Sequence, residues 1–149
     1  MVHPSSIKYR FFFAAGSGDI IRAHNKAVSS DQMSVTFSSE FENFCEENGA
    51  EALMVSSGKP ADKLISGNLT LESKPKRLAT GLLYHIEEIR YGLVLAIAAR
   101  RFKATHAFIQ SGSTHYFVMI VFCLFGMKVV PIMHNALWPA GYPELVPVV

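Results

Sequence analysis

A histidine and an asparagine near the end of the sequence carry the side chains best suited to proton transfer and polar recognition. His134 and Asn135 follow the apolar run 127–133, which is typical of a buried strand. Imidazole titrates near neutral pH, so His134 could accept a proton from a hydroxyl group held beside it. Open α/β sheets bind ligands at the carboxyl ends of their strands. The position indicates a catalytic histidine, and a hydrogen-bonded structural histidine is the alternative.

A glycine-rich segment follows the apolar run 9–15, as expected for a strand that enters a turn. Ile21 stands where a dinucleotide fingerprint has its third glycine, and the GK[ST] ending of a P-loop is absent, so neither motif is indicated. The segment is either a plain turn or a site where a sugar or phosphate approaches the backbone, with an arginine as anion clamp. The predicted contacts are Gly16, Ser17, Gly18, Asp19 and Arg22, with His24 or Asn25 as further candidates.

A second polar segment follows the apolar run 105–110 and precedes a predicted helix. Its backbone N–H groups and hydroxyls could hold an anion, and an ordinary helix cap is the alternative. The order Ser-Gly-Ser-Thr-His lacks the flanking glycines of a nucleophile elbow, which argues against an α/β hydrolase. The residues of this candidate site are Ser111, Gly112, Ser113, Thr114 and His115.

The remaining histidines and the cysteines do not indicate a metal centre. No histidine pair has the spacing of an HExxH motif. Cys45 and Cys123 lie far apart and neither belongs to a CxxC pair, so we expect two reduced, buried thiols. We predict no metal site in this sequence.

The elements that must position these residues alternate between strand and helix. Apolar runs predict strands at 9–15, 52–55, 105–110 and 128–133. Helical spacing predicts a helix through Phe37 and Phe41 that Asn48-Gly49 ends, capped by Ser39-x-x-Glu42 or an earlier serine, and further helices at 77–102 and 115–125. Residues 62–75 are weakly patterned and predict a short helix or an edge strand. The alternation predicts one Rossmann-like, three-layer α/β/α domain with a mainly parallel sheet.

The helix at 77–102 is the longest predicted element. Basic residues in its last turn complement the helix dipole. Its expected apolar face consists of Leu82, Leu83, Ile86, Ile89, Leu93, Ile97 and Ala98.

Composition indicates a globular domain, because half of the 149 residues are hydrophobic and 17% are charged. A net charge of +2 does not indicate a nucleic-acid-binding protein. Basic clusters at 74–77 and 100–103 are either solvated surface or attract anionic lipid headgroups or a phosphorylated substrate. The apolar stretch 116–133 is interrupted by Gly126, Lys128 and Pro131, which favours a helix followed by a strand over a membrane span. Residues 1–10 show no secretion signal, so we expect a cytoplasmic protein, with peripheral contact at the inner membrane face as a further possibility.

In order, the segments FFFAAGSGD, EALMVSS and THAFIQSGSTHYFVMIVFCLFGMKVVPIMHNALW resemble the amino-terminal domain of GT-B glycosyltransferases of the family 4 (group 1) type. The resemblance covers roughly residues 7–139. Its most specific part is KVVPIMHN, which is similar to the strand of that family that ends in His-Asp or His-Asn. The sequence departs from the family at GSGD, where a Gly-Gly turn leading to an arginine is usual, so the acceptor is not identified.

The resemblance implies a retaining transfer of a sugar from a nucleotide-sugar donor to a hydroxyl acceptor, which is a sugar or a lipid-linked group. In that family two Rossmann-like domains face a cleft, and the amino-terminal domain mainly binds the acceptor. Gly16 and Gly18 would approach donor phosphate or acceptor, and His134 would lie near the transferred sugar as a base or as a positioning group. No metal and no covalently bound cofactor is implied.

The resemblance also predicts that this chain is one half of an enzyme. By this resemblance, residues 1–139 would correspond to the acceptor-side domain and 140–149 to the start of an interdomain segment, and we expect the donor-binding domain to be absent from this chain. We expect a fragment, or a split enzyme whose partner chain binds the donor. A non-catalytic Rossmann-like binding or interaction module is the alternative, and the missing third glycine disfavours a nucleotide-dependent oxidoreductase or epimerase.

Overall fold

A six-stranded sheet forms the middle layer of the protein. The computed structural model describes residues 9–16, 20–26, 33–58 and 60–133. The strands are β1 (Arg10–Ala14), β2 (Glu51–Ser56), β3 (Asp62–Ser66), β4 (Leu69–Ser73), β5 (His106–Gln110) and β6 (Lys128–Ile132). The helices are α1 (Ile20–Lys26), α2 (Met33–Glu47), α3 (Leu82–Arg101) and α4 (Met119–Leu124), and a 3-10 turn spans Tyr116–Val118. The strand order is β3-β4-β2-β1-β5-β6. Among these strands, β3 and β4 pair antiparallel, and the other four pairs are parallel.

The central strand β1 is buried on both faces and divides the core into two halves. Successive side chains of a strand point to opposite faces. Phe11 and Phe13 pack in the half that contains residues of α1 and α2, whereas Phe12 and Ala14 pack in the half that contains residues of α3 and α4. Burial on both faces explains why β1 is apolar without alternation. The predicted three-layer α/β/α fold with a mainly parallel sheet is therefore confirmed.

The weakly patterned residues 62–75 form a β-hairpin. Gly67 takes a positive φ of 57° in the turn between β3 and β4. β3 lies at one edge of the sheet and β6 at the other, whereas β4 lies inside the sheet between β3 and β2. Leu69 and Leu71 of β4 are buried on one face of the strand. Thr70 and Glu72 point to the other face, which is only partly covered and therefore accommodates polar side chains. The edge-strand prediction is correct for β3, the short-helix alternative is wrong, and the internal strand β4 was not predicted.

Helix α3 packs on the sheet through a different face from the one predicted. The residues that face the core are Tyr91, Gly92, Leu95, Ala96 and Ala99, with Glu87 and Glu88 one turn earlier. Most of the predicted apolar face points to solvent instead. The exposed members are Leu82, Leu83, Ile86, Leu93 and Ile97. The helix also begins at Leu82 rather than at residue 77, after Gly81 with a positive φ of 60°.

Small side chains explain why this face was chosen. Glycine and alanine at positions 92, 96 and 99 let the axis of α3 come close to its neighbours. A Cβ atom on Gly92 would overlap Thr114 Oγ1 and lie 2.7 Å from Val118 Cγ1, so no larger residue fits there without movement. Closely packed helices make many dispersion contacts per residue. These contacts favour the face with small residues, even though the other face has more large apolar side chains.

Three further details differ from the prediction. The short helix α1 was not predicted, because its sequence is largely polar and has large apolar residues at Ile20 and Ile21 alone. Ser39 lies within α2, which begins at Met33, so it is not the cap. The helix predicted at 115–125 is a 3-10 turn followed by the six residues of α4, and Ile120 and Leu124 are exposed rather than buried. As predicted, Gly126 follows its end, with φ 83°.

The two cysteines have different environments. Cys45 is fully buried, and this burial, together with the charges of Glu42 and Glu46, raises the pKa of its thiol to about 12. Cys123 lies on the outward side of α4 and is exposed, so the prediction that both thiols are buried is wrong for Cys123. Among the described helices, none has both the length and the apolar character required to cross a bilayer.

The orientation of α3 predicts different costs for two neighbouring leucines. Leu95 is 1% exposed, whereas Leu93 on the same helix is 40% exposed. Replacing Leu95 by Ala should lower the free energy of unfolding by about 2–5 kcal/mol, because it removes buried methyl groups and leaves a cavity. Leu93→Ala is the matched control and should cost less than about 1 kcal/mol. Urea unfolding measures both, and a larger loss at Leu93 would contradict this orientation.

Candidate functional site

An open cavity of about 610 Å³ lies at the carboxyl ends of the central strands. The chain proceeds from β1 outward to β2 and β4, then returns past β1 to β5 and β6, so the strand order reverses between β1 and β5. Ligands of open α/β sheets bind in the crevice at such a reversal, since the loops on its two sides diverge. Gly16 after β1, Ser57 after β2 and Gln110 at the end of β5 all line the cavity.

The floor of the cavity is held by hydrogen bonds to the backbone of Gly16. The Gly16 N–H donates to Gln110 Oε1 at 2.9 Å, and the Gly16 carbonyl accepts the backbone N–H of Ser57 at 3.1 Å. The Ser57 hydroxyl donates to the same carbonyl at 3.3 Å. Because the Gln110 carbonyl oxygen is used in this way, its NH₂ group is left to donate into the cavity.

One wall contains a buried ion pair between the segment after β4 and helix α3. The Lys76 ammonium contacts the carboxylate of Glu88, which is only 3% exposed, and lies 5.5 Å from the centre of the Tyr91 ring. Lys76 Nζ is also 3.5 Å from the carbonyl oxygen of Ser113. A buried charge needs such partners, since removing one of them leaves the other uncompensated. The ion pair thus connects α3, the residues after β4 and the loop after β5.

A second carboxylate, that of Glu87, lies beside the first in the cavity wall. Arg90 Nε donates to Glu87 Oε2 at 2.7 Å, and the backbone N–H of Arg77 donates to Glu87 Oε1 at 3.4 Å. The hydrogen bond from Arg90 lowers the pKa of Glu87 and outweighs the opposing effect of desolvation. Glu87 is therefore anionic at neutral pH. The side chain of Arg77 is exposed and lines the cavity, and its charge also lowers the pKa of Glu87.

The loop after β5 is anchored by its own polar side chains. The Ser113 hydroxyl donates to the Ala14 carbonyl at 3.1 Å, and the Thr114 hydroxyl donates to the Glu88 carbonyl at 2.8 Å. Gly112 takes a positive φ of 84°, which turns the loop back across the end of the sheet. Ser111 and Gly112 are left to line the cavity. The short α4 begins only at Met119, so the backbone N–H groups of residues 111–115 do not form the amino terminus of a helix, as was predicted.

A pair of histidines lies outside the cavity lining. His115 Nε2 and His85 Nδ1 are 3.0 Å apart, with stacked rings, and the ring of Tyr84 meets both edge-on. Tyr84 itself lines the cavity. Within residues 9–16, 20–26, 33–58 and 60–133, no three histidine, cysteine or acidic side chains come close enough to hold a metal ion together.

The structure brings part of the predicted site together. Gly16, Ser111 and Gly112 line one cavity, whereas Ser113 and Thr114 use their hydroxyls to bind backbone carbonyls. Arg22 lies in α1, and its side chain is outside what the structure describes. His24 Nδ1 is 2.8 Å from Glu42 Oε2, and Asn25 is exposed on the same helix. Five candidates lie outside the described residues: Ser17, Gly18, Asp19, His134 and Asn135.

Sequence reasoning missed the charged residues of the cavity wall. Lys76 and Arg77 belong to a basic cluster that was interpreted as surface or as a general anion-attracting patch. Glu87 and Glu88 are the only acidic residues between positions 74 and 133, and they interrupt an apolar helical pattern. Two adjacent carboxylates in such a helix were the available signal, because charges in a buried face are kept only where partners satisfy them.

The arrangement is suited to a ligand with several hydroxyl groups and a negative charge. Carboxylates accept hydrogen bonds from hydroxyls, while the Gln110 amide, the Ser111 hydroxyl and the Arg77 guanidinium donate them. A guanidinium additionally matches phosphate or carboxylate oxygens in a two-point contact. Comparison with known proteins adds no assignment, since no family model, no curated protein and no solved structure matches the chain.

The contact between α3 and the loop after β5 makes a specific substitution informative. In a helix interior, Gly→Ala normally stabilises a protein by about 0.5–1 kcal/mol. Gly92→Ala should instead destabilise this chain by about 1–3 kcal/mol, because the added methyl group overlaps Thr114 and Val118. Thermal and urea unfolding of the variant give the sign. In a background with Thr114→Ala and Val118→Ala the penalty should shrink, and a stabilising Gly92→Ala in the wild-type background would disprove the close contact.

Proposed function

We propose that this chain is the acceptor-side, Rossmann-like domain of a GT-B glycosyltransferase. The complete enzyme would transfer a sugar from a nucleotide-sugar donor to a hydroxyl acceptor with retention of configuration. The observation that carries the proposal is the cavity at the strand-order reversal, whose wall combines the carboxylates of Glu87 and Glu88 with donors from Arg77 and Gln110. The sequence resemblance supplies the reaction class, and the cavity supplies a site where the acceptor would bind.

The chemistry of the cavity wall supports an acceptor with hydroxyl groups. The carboxylate of Glu87 is anionic and held by Arg90, so it can accept a hydrogen bond from a sugar hydroxyl without first losing a proton. Gln110 is fixed by its bond to Gly16, so its NH₂ group is oriented before the ligand arrives. Polar groups that are held in place lose little conformational entropy when they bind.

The proposal assigns the donor mainly to a second domain, which would close the cavity from the opposite side. Closure would exclude water and so prevent hydrolysis of the donor. β6 ends at Ile132, and in the sequence Met133 and then His134 follow it. The backbone N–H of Ser111 donates to the Ile132 carbonyl at 2.8 Å, so the loop after β5 contacts the end of β6. In this proposal His134 either accepts the acceptor proton or positions the reacting groups. The proposal does not require a metal ion.

Ligand binding by the isolated chain tests the acceptor site. Ligand-observed NMR with sugars and sugar phosphates should show binding, whereas UDP- and GDP-sugars should bind at least tenfold more weakly. Arg77→Gln should weaken the binding of a sugar phosphate about tenfold, because a hydrogen bond to a charged group contributes about 1.5–3 kcal/mol. Arg100→Gln is the matched control, since Arg100 is exposed in the last turn of α3 and does not line the cavity.

Two results would contradict this division of roles. Tight binding of a nucleotide sugar by the chain alone would place the donor here. Absence of any sugar binding, in a chain that circular dichroism shows to be folded, would favour the alternative of a non-catalytic binding or interaction module.

Reconstitution tests the catalytic part of the proposal. The chain is mixed with a separately produced candidate donor-binding partner, and transfer of a radiolabelled sugar to an acceptor is measured. Transfer should require both proteins, and His134→Ala should reduce kcat by about 100-fold or more if the imidazole moves a proton. A His134→Gln variant distinguishes the roles, since it keeps a hydrogen-bonding group but cannot titrate. Unchanged transfer in His134→Ala would remove His134 from the mechanism.

A further inference from the structure

The outer surface of α3 and α4 carries an apolar area that no described residue covers. Five residues of α3 and three residues from Phe117 to Leu124 are between 40% and 76% exposed. They are Leu82, Leu83, Ile86, Leu93, Ile97, Phe117, Ile120 and Leu124, which together we name the outer face. Monomeric soluble proteins rarely expose apolar patches larger than a few hundred Å², and larger patches mark interaction sites.

These side chains point in one general direction because both helices cover the same face of the sheet. Leu95 of α3 and Phe122 of α4 belong to one core cluster with Phe12 of β1. Ile86 and Leu93 lie on the opposite side of α3 from Leu95, and Ile120 lies on the opposite side of α4 from Phe122. The outer face is therefore the outward side of one helical layer, and along α3 it extends about 22 Å at 1.5 Å per residue.

The charges around the outer face are mainly basic, since Glu72, which lines a cavity with Ile97, is paired with both Lys63 and Lys74. Between Lys74 and Met133 the sequence has eight basic residues and two acidic ones, a formal excess of six. Both acidic residues, Glu87 and Glu88, are buried and ion-paired. The exposed charged side chains of this part of the protein are therefore all basic: Arg77, Arg90, Arg100, Arg101, Lys103 and Lys128.

Helix α2, on the opposite side of the sheet, is acidic in its second half. From Glu40 to Glu47, helix α2 has four glutamates and no basic residue, and its Phe41 and Cys45 pack on the other face of the sheet. The surface of α3 and α4 is thus basic, whereas the second half of α2 on the other side of the sheet is acidic and the neighbouring α1 has Arg22 and Lys26 in its sequence. A negatively charged planar surface would be attracted most strongly to the α3 and α4 side.

We propose that the outer face of α3 and α4 binds the surface of a membrane that contains anionic lipids. An interfacial helix presents apolar side chains with mainly basic neighbours to lipid: the apolar side chains enter the headgroup region, and the basic side chains contact phosphates. A second copy of the chain fits less well, because a two-fold contact would bring the basic residues of both copies together. Binding is peripheral and does not depend on the proposed sugar transfer.

The membrane would then lie next to the mouth of the cavity. Helix α3 begins at the carboxyl edge of the sheet, where Leu78 and Tyr84 line the cavity and Leu82 and Leu83 begin the outer face. Leu78 is 95% exposed and extends the apolar area to the cavity itself. A ligand anchored in the membrane would therefore reach the cavity along a continuous apolar path.

Vesicle sedimentation tests this proposal without any sugar ligand. The full chain is incubated with vesicles of phosphatidylcholine alone, or with vesicles of phosphatidylcholine that contain roughly 30 mol% phosphatidylglycerol, an anionic lipid that gives the surface a negative potential. We expect binding to the anionic vesicles that is at least tenfold stronger than to the neutral ones. Raising the salt concentration from about 0.1 M to 1 M should reduce it strongly, since the Debye length falls from about 10 Å to 3 Å.

A pair of matched variants locates the contact. Ile86→Ser with Phe117→Ser changes the outer face, and should weaken binding to anionic vesicles about tenfold or more. Ile65→Ser with Phe44→Ser has the same composition change at exposed positions on β3 and α2, and should leave binding unchanged. All four residues are exposed, so both variants should fold, which circular dichroism checks.

Three outcomes would overturn the proposal. The first is absence of binding to anionic vesicles, and the second is equal binding to neutral vesicles. The third is a dimer in light scattering that Ile86→Ser with Phe117→Ser dissociates, which would make the outer face a contact between two copies. Because no sugar is present, none of these results bears on the sugar-binding experiment, and the two proposals succeed or fail separately.

Discussion

Burial of β1 on both faces is the constraint on which the rest of the structure depends. Its phenylalanines supply apolar contacts to both helical layers, so each layer must cover one side of the strand. β2 and β5 pair with its two edges, which places β1 at the centre and creates the reversal of strand order beside it. The cavity lies at this reversal because the loops after β1, β2 and β5 all end at the same edge of a parallel sheet.

Helix α3 links the core, the cavity and the outer surface. Its small residues face inward and let it approach the loop after β5, as the close distances at Gly92 show. One turn earlier, the same inward side supplies Glu87 and Glu88 to the cavity wall. Its large aliphatic residues are thereby turned outward. The chain uses one helix for packing and for the polar wall of the cavity, and in our proposals also for ligand binding and membrane contact.

Much of the fold follows from local patterns that tertiary contacts do not override. β1, β2 and β5 were predicted because strands buried within the sheet are short apolar runs between turn residues. β6 was predicted from the same pattern, but it is an edge strand whose residues are exposed or partly buried, so the prediction of a buried strand is wrong there. The hairpin of β3 and β4 was only partly predicted, since a strand with one polar face resembles a surface loop in composition. The inward face of α3 was predicted wrongly, because hydrophobicity alone favours leucine and isoleucine, whereas close packing favoured Gly92 and Ala96. The roles of His134 and of the loop at residues 17–19 stay predictions.

By itself, the sequence determined the class of fold and the edge of the sheet where the cavity lies. Alternation of strand and helix requires parallel βαβ units, and parallel strands place their following loops on one side. Only the tertiary structure decided which side chains line the cavity and which face solvent. Lys76 and Glu88 are twelve positions apart in the sequence, and their contact depends on how α3 docks. That docking is set by steric fit between distant segments, which no local pattern encodes.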